Sequence, residues 1–384
     1  MNWHHPERVV DSMSIAPAVG MPGAPTTSAD GLRQRIADME NRLRERRHDG
    51  GAAVLLADAL LRQGRVTGDG HPAARAAEVL RIALEDNPGS YDALRLLGAI
   101  DLSQHKFRDA LDVGRRARDL RPGDAWNYGV IGDALIELGE YDQAFDAIDT
   151  MARLRPTAGA YARVAYAREL CGDLPGALHA MQLAASATAS RDPEAQAWYA
   201  SQLGELYLRM GRLDDAEREY RRASFMFPDY LLAMVGQGKV MAAKGKQDEA
   251  LAIYLQQLRR TPTVDLASRI GDLYAGHGDT AQAEHYYQLA EDLAGPPIAQ
   301  TDATLVLFLA EHDRKLPDAL TLGKSIAAMR SDIFTEDALA WTYYKTGRLK
   351  EAFSASRRAL RTGTRDSQIL RHAAEIEHAY HATS

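Results

Sequence analysis

Two residue types recur along the chain at an interval of about 34 positions. Prolines stand 34 residues apart within each of two sets, and a series of alanines keeps nearly the same spacing. The prolines are Pro88, Pro122, Pro156, Pro228, Pro262 and Pro296, and the alanines are Ala76, Ala110, Ala144, Ala177, Ala216, Ala250, Ala283, Ala319 and Ala352. A fixed period of this length is typical of helical repeat arrays and not of a chain with one central core. The spacing therefore predicts about nine repeat units.

Each unit is predicted to consist of two amphipathic helices joined by a short turn. In residues 195–230, apolar residues follow helical spacing on both sides of Gly211. A glycine recurs five residues before the repeated alanine, where the left-handed end of a helix favours glycine. Another glycine recurs twelve residues before the alanine, inside the first helix, where it costs about 1 kcal/mol relative to alanine. Close packing between the two helices is expected to offset that cost.

These positions together resemble the tetratricopeptide repeat family over roughly residues 52–365. The family pattern has a small residue in the first helix, an alanine in the second, an aromatic residue four positions later and a closing proline. Tyr220, Tyr254 and Tyr287 take the aromatic place. The resemblance implies an all-α fold, a right-handed superhelical solenoid of about nine antiparallel helix pairs whose first helices line the concave side. It also implies a non-catalytic scaffold for protein–protein interaction.

The pattern divides the chain into four segments. Residues 1–29 mix Pro, Gly, Ser and Ala without a helical period, which predicts a flexible tail. A basic amphipathic helix is predicted over residues 30–48, followed by the repeat array over 49–365. Residues 366–384 are expected to form a C-terminal capping helix, because the ends of a solenoid need covering.

Two roles are open for the helix at 30–48. Its apolar face carries Leu32, Ile36, Met39 and Leu43, and six arginines supply the opposite side. The favoured role is a cap over the first repeat. The alternative is an adaptor, in which this helix binds an anionic membrane surface or a second copy of the chain.

Composition limits the classes of partner. The chain has 46 Lys and Arg against 53 Asp and Glu and a sequence pI near 6.0, which argues against nonspecific nucleic-acid binding. Its single cysteine, Cys171, excludes an intramolecular disulfide and argues against a multi-cysteine metal site. Without a long apolar run or a secretory signal pattern, we expect a cytoplasmic protein with no stable membrane insertion.

The residues that suggest chemistry do not form a complete motif. Gly323, Lys324 and Ser325 resemble the end of a phosphate-binding loop, but Asp318 stands where that loop needs glycine. A histidine-rich run near the C-terminus has the spacing of metal ligands on one helical face. The alternative interpretation is that these side chains form a solvated surface. The run consists of His372, Glu375, His378 and His381. We therefore expect neither an enzyme nor a bound metal or cofactor.

The candidate binding surface is the face of the first helices turned away from their paired second helices, here called the first-helix face. It comprises the positions 18, 15, 11, 8 and 7 residues before each repeated alanine. From the second unit onward these positions hold nine acids, four bases and several large aromatic residues. The candidate contacts are Trp126, Asp133, Glu137, Tyr166, Glu169, Trp198, Glu205, Asp272, Phe308 and Trp341.

This surface is predicted to be acidic, with aromatic anchors of the kind common at protein interfaces. The expected partner is a basic, partly apolar protein or peptide segment, with no nucleic acid and with self-association possible. The alternative for the aromatic residues is that they fill gaps between neighbouring first helices.

Overall fold

The structure, a computed structural model, describes residues 29–67, 71–189, 192–228, 230–295 and 303–382. These residues form twenty α-helices and no β-strand, which confirms the predicted all-α fold. None of the helices in the described part is both long and apolar enough to cross a membrane. The predicted tail falls almost wholly outside the described residues.

The helices follow one another with short connections. In the N-terminal part of the chain they are α1 (Ala29–Glu45), α2 (Gly50–Thr67), α3 (His71–Asp86), α4 (Tyr91–Ser103), α5 (Phe107–Leu120), α6 (Ala125–Glu137), α7 (Tyr141–Leu154) and α8 (Ala158–Leu170). They continue as α9 (Leu174–Ser186), α10 (Pro193–Arg209), α11 (Leu213–Met226), α12 (Leu231–Ala243), α13 (Gln247–Arg260) and α14 (Val264–Gly276). The remaining helices are α15 (Thr280–Ala294), α16 (Thr304–Glu311), α17 (Leu316–Met329), α18 (Ile333–Lys345), α19 (Leu349–Ala359) and α20 (Ser367–Ala382).

Within the described ranges, α2 to α19 make up nine successive helix pairs, with α1 before them and α20 after them. The even-numbered member of each pair is the first helix and the odd-numbered member the second. The chain divides into two compact units between Val164 and Ala165. We call their described parts the N-terminal unit (29–164) and the C-terminal unit (165–382).

Glycine ends most of the first helices, as the sequence predicts. Gly139 has a φ of 77°, and its N–H donates to the carbonyl oxygen of Ile136 at 3.0 Å. The next N–H, of Glu140, reaches back to the carbonyl of Leu135 at 2.8 Å, which closes the last turn. The same positive φ is found at Gly172, Gly211, Gly245, Gly278 and Gly347. These glycines set the reversal between the two helices of a pair.

The glycines inside the first helices contact large side chains of the second helices. A Cβ added to Gly204 would lie 2.8 Å from Cε1 of Tyr220, whose side chain is 2% exposed. Gly238 holds the same relation to Tyr254, and Gly271 to Tyr287. Each glycine thus leaves space for the aromatic ring four residues after the repeated alanine. The predicted close packing is confirmed at these pairs.

In the N-terminal unit, α1 packs its apolar face on α2 and α3. Ile36 is buried in a cluster with Leu56, Leu60 and other apolar side chains, and Met39 and Leu43 pack against it. Polar contacts add to this packing. Arg75 of α3 pairs with Glu40 at 2.6 Å, and Arg42 pairs with Asp49 at 2.7 Å. The side chain of Leu32 lies outside the described part.

In the C-terminal unit, two turns that are far apart in sequence meet. The hydroxyl of Thr362 donates to the carbonyl of Leu170 at 2.6 Å, across 192 residues. A Cβ added to Gly172 would lie 2.6 Å from Cγ of Arg365 and 2.8 Å from the carbonyl oxygen of Gly363. The last repeat of this unit therefore contacts the start of the same unit.

Replacing Gly172 by alanine should destabilise the protein more than the same change at Gly211. Both glycines have positive φ, 77° and 71°, so both alanine variants carry a backbone cost of about 1 to 2 kcal/mol. Of these two glycines, Gly172 is packed against a second turn, whereas the added Cβ at Gly211 meets no atom of the described residues within 4 Å. The overpacked contact should add about 1 to 3 kcal/mol. Urea unfolding of both variants measures the difference, and equal losses would contradict the contact between the turns.

Candidate functional site: the first-helix face

The first-helix face of the N-terminal unit keeps a large aromatic residue partly exposed. Trp126 of α6 is half-buried, and the guanidinium carbon of Arg95 of α4 lies 5.3 Å from the centre of its ring. Asp92, Asp133 and Glu137 are also half-buried. An aromatic ring and three carboxylates therefore remain partly accessible on two first helices.

Asp133 pairs with a base that the sequence interpretation did not consider. The Nε of Arg163 donates to its Oδ1 at 2.9 Å and Nη2 donates to Oδ2 at 2.6 Å, a two-point contact between α6 and α8. Arg163 also donates to the carbonyl of Gly159 at 3.1 Å. The carboxylate is 22% exposed and the guanidinium 11% exposed. Part of the expected negative charge is therefore neutralised within the unit.

In the C-terminal unit, Glu205 of α10 lies at the centre of a polar network. It accepts hydrogen bonds from the Tyr220 hydroxyl at 2.9 Å and from Nζ of Lys239 at 3.0 Å. Arg209 lies between Glu205 and Glu169 and forms an ion pair with each of them. Two predicted acids, Glu169 and Glu205, are thus held together by a shared base.

Asp272 of α14 belongs to a second contact group. It accepts a hydrogen bond from the Tyr287 hydroxyl at 2.9 Å and lies 3.0 Å from Nε2 of His312. Burial lowers the pKa of His312 to about 4, so the imidazole is neutral at pH 7 and the contact is not an ion pair, and its geometry is not that of a hydrogen bond. The ring of Phe308 lies beside the same imidazole in a tilted arrangement, with ring centres 4.9 Å apart. The structure therefore brings the predicted contacts Asp272 and Phe308 together.

Three of the predicted aromatic anchors are buried. Trp198 is 2% exposed, Phe308 5% and Trp341 3%, whereas Tyr166 is half-buried. For the three buried rings, the structure shows the alternative interpretation, in which the aromatic residues fill space among neighbouring helices. A side chain so enclosed has almost no surface to offer a partner while its neighbouring helices stay in place.

At the C-terminal end, α20 supplies bases to acids of the first-helix face. His372 of α20 contacts Asp337 of α18 through Nδ1 at 2.9 Å and Glu311 of α16 through Nε2 at 2.6 Å. Arg371 pairs with Glu311 at 2.8 Å. The imidazole also stacks on Trp341, with ring centres 4.1 Å apart and planes at 11°.

The pKa values in this group follow from the pairing. Burial alone would lower the pKa of His372, but the carboxylates of Asp337 and Glu311 outweigh it and raise the pKa to about 9. Burial would raise the pKa of Glu311, yet His372 and Arg371 hold it at about 2. His372 is therefore a buried cation at pH 7, not one end of a solvated face. The described residues contain no group of three or more His, Cys, Asp or Glu side chains suited to a metal ion.

The pairing of these acids with bases of the same chain is what the sequence interpretation missed. Lys239 and Arg209 both lie at positions of the first-helix face, and Lys239 follows Glu205 by 34 residues, one repeat period. Arg163 follows Asp133 by 30 residues and lies outside the positions assigned to the first-helix face. An acid and a base about one period apart are thus candidates for a pair between neighbouring first helices.

The helix pairs, the glycine turns and the glycine–aromatic contacts define a helical-repeat solenoid. Residues 69–125 and 201–265 match the model of the tetratricopeptide repeat family. Both units of the chain therefore contain tetratricopeptide repeats.

Among curated proteins, the chain is similar to the anaphase-promoting complex subunit CDC16 of Saccharomyces cerevisiae, with 25% identity over 170 residues. The match covers 42% of this chain and 20% of that relative's length. Among solved structures it is similar to a human IFIT1 dimer with PPP-AAAA, with a TM-score of 0.57 and 16% identity over 86% of this chain and 78% of the other. A human IFIT1 dimer with m7Gppp-AAAA gives a TM-score of 0.58, again with 16% identity, over 86% and 77% of the two chains. At this identity the structural likeness shows the fold alone.

Replacing His372 by glutamine should destabilise the protein most at low pH. Folding raises the pKa of His372 from 6.5 to about 9. Its contribution is therefore complete below pH 6.5 and is lost as the pH rises through about 9, with a maximum of about 3 kcal/mol. The free energy of urea unfolding, measured from about pH 6 to about pH 10, should show the difference between variant and wild type shrinking.

The matched control for this prediction is His378→Gln, on the exposed face of the same helix. It should leave the pH dependence of stability unchanged. A stability difference between His372→Gln and wild type that stays constant with pH would contradict the buried ion pairs.

Proposed function

We propose that the chain is a non-catalytic scaffold that binds a basic, partly apolar protein segment on the first-helix face of its N-terminal unit. Proteins of the tetratricopeptide repeat family act as scaffolds for protein interaction. The observation that carries the proposal for this chain is the half-buried Trp126, accompanied by Asp92, Asp133 and Glu137 on α4 and α6. Of the three predicted tryptophan anchors, Trp126 is the one with a partly exposed ring.

The chemistry of this surface favours a cation beside an apolar group. The face of a tryptophan ring attracts a guanidinium or ammonium group, and Arg95 already takes such a position at 5.3 Å. Half-buried carboxylates hold a cation more strongly than exposed ones, because water screens them less. A segment with Lys or Arg next to an apolar side chain satisfies both features.

Binding at Asp133 has to proceed by exchange, because Arg163 already forms a two-point pair with that carboxylate. A partner arginine would replace one ion pair by another of the same kind. The carboxylate of Asp133 is paired before and after binding, but Arg163 loses its partner, so the net gain in affinity is small and the selection among partners is large. We therefore expect this surface to recognise the shape and spacing of the partner's basic groups, and not their charge alone.

The cap is the role that we propose for α1. Its apolar residues Ile36, Met39 and Leu43 pack against α2 and α3, so they are not presented to a membrane surface. The C-terminal helix α20 takes the corresponding position after the last pair. We also propose that the protein is located in the cytoplasm.

Glu137→Lys should weaken binding of a basic peptide while leaving the fold intact. The experiment selects twelve-residue peptides from a random phage-displayed library on the full chain, and then measures their affinity by fluorescence anisotropy. We expect selected peptides to be enriched in Lys and Arg, with Glu137→Lys weakening them by about tenfold, as reversal of one close charge contact does.

The control for this experiment is Asp146→Lys. It makes the same charge change on an exposed position of the second helix α7 and should leave the affinity unchanged. Circular dichroism checks that both variants fold. Selected peptides without basic residues, or an equal loss in both variants, would refute the proposed surface.

A further inference from the structure

The helix α20 covers a group of residues that has the composition predicted for the partner-binding surface. Glu311, Asp337 and Trp341 all lie at positions of the first-helix face. In the structure they contact Arg371 and His372 of α20. Two acids and a tryptophan are thus occupied by two adjacent basic residues of the same chain.

The attachment of α20 reaches beyond its neighbouring helices. Gln368, Arg371 and His372 all bond to Oε1 of Glu311, at 3.1, 2.8 and 2.6 Å. Glu311 lies on α16, so these side chains extend across α18 to the preceding first helix. A cap that only covered apolar surface would not need polar contacts with a helix beyond its neighbour.

The covered tryptophan also has an unsatisfied group. Nε1 of Trp341 is buried and has no hydrogen-bond partner among the described residues, and Trp341 is only 3% exposed. The ring stacks on Tyr344 at 4.9 Å and on His372 at 4.1 Å. A buried donor without an acceptor is destabilising. A segment that offered an acceptor to this indole N–H would have an advantage over α20.

We propose that Glu311, Asp337 and Trp341 form a second binding surface, that α20 is its internal occupant, and that a helical partner segment with adjacent basic residues competes with α20 for it. The proposal rests on the proposed function, because it extends the preference for basic segments to the C-terminal unit. Exchange of α20 for a segment of like chemistry keeps the carboxylates paired, so displacement does not leave buried charges uncompensated. The apparent affinity of the partner is set by the fraction of chains in which α20 is undocked.

The test uses a fluorescein-labelled peptide of residues 364–384 and two forms of the full chain. One form is wild type, and the other carries Gln368→Ala and Arg371→Ala, which remove two of the three bonds from α20 to Glu311. The weakened helix occupies the surface less often, so the peptide should bind the variant at least about tenfold more tightly than it binds wild type. Fluorescence anisotropy measures both affinities.

Two further peptides test the chemistry of recognition. The labelled peptide with Arg371→Ala and His372→Ala should bind the variant at least about tenfold more weakly, since it cannot pair with Glu311 and Asp337. An unrelated helical peptide that keeps only Gln, Arg and His at the spacing of α20 should displace the native peptide. A folded variant that gains no affinity, or that binds the native and doubly substituted peptides equally, would overturn the proposal. Failure of the unrelated peptide to compete would overturn the partner chemistry.

Hydrogen exchange on the unmodified full chain keeps the proposal testable if the variant does not fold. The amides of α20 should exchange through a local opening, before those of α18 and α19. Exchange of all three helices in one cooperative step would show that α20 does not undock, and would overturn the proposal. None of these results depends on Glu137 or α6, so failure here and failure of the N-terminal binding surface are separate outcomes.

Discussion

The contact between a glycine of the first helix and a large side chain of the second helix, repeated in successive pairs of the C-terminal unit, is the interaction on which the structure depends. Gly204 against Tyr220, Gly238 against Tyr254 and Gly271 against Tyr287 bring the paired helices together at the same level of successive repeats. A side chain at the glycine position would collide with the ring, so the cost of glycine in a helix is offset by the packing that it permits. Repetition of this one contact places the outward positions of the first helices side by side.

That placement explains why the acids of the first-helix face have partners within the chain. Neighbouring first helices bring Glu205 beside Lys239 and Asp133 beside Arg163. Removal of one member of such a buried pair leaves a charge without compensation, which costs more than the pair itself contributes to stability. A binding segment therefore has to bring its own charge to the carboxylate that it takes over. The surface selects for a matching arrangement of charges.

The sequence predicted the parts of the fold that local chemistry decides. Gly139 and Gly211 end helices because a residue with positive φ is needed at those turns, and the period of 34 residues gave the number of pairs. Burial of individual aromatic residues could not be predicted in this way. Trp198 and Trp341 lie at the same kind of position as Trp126, yet their exposure depends on the side chains that adjacent helices place over them. No spacing rule specifies those neighbours.

Contacts between distant repeats could not be predicted from sequence patterns either. The bond from Thr362 to Leu170 spans 192 residues, and His372 contacts Glu311 across an intervening first helix. The histidine-rich run suggested either a metal site or a solvated face, but His372 turned out to be a buried cation. Periodicity identifies which positions face the same way, whereas charge pairing over several repeats depends on the accumulated geometry of the stack.

In the proposed mode of binding, a partner takes over the carboxylate of Asp133 from an internal base, and the affinity of Arg163→Gln for a basic peptide measures this exchange. The peptide is one selected on the wild-type chain, and its dissociation constant is measured by fluorescence anisotropy in low salt with circular dichroism as the check on folding. Loss of the internal competitor should raise the affinity by about tenfold, because Asp133 is then available without exchange. An affinity equal to or lower than that of wild type, in a variant that folds, would rule out exchange at Asp133.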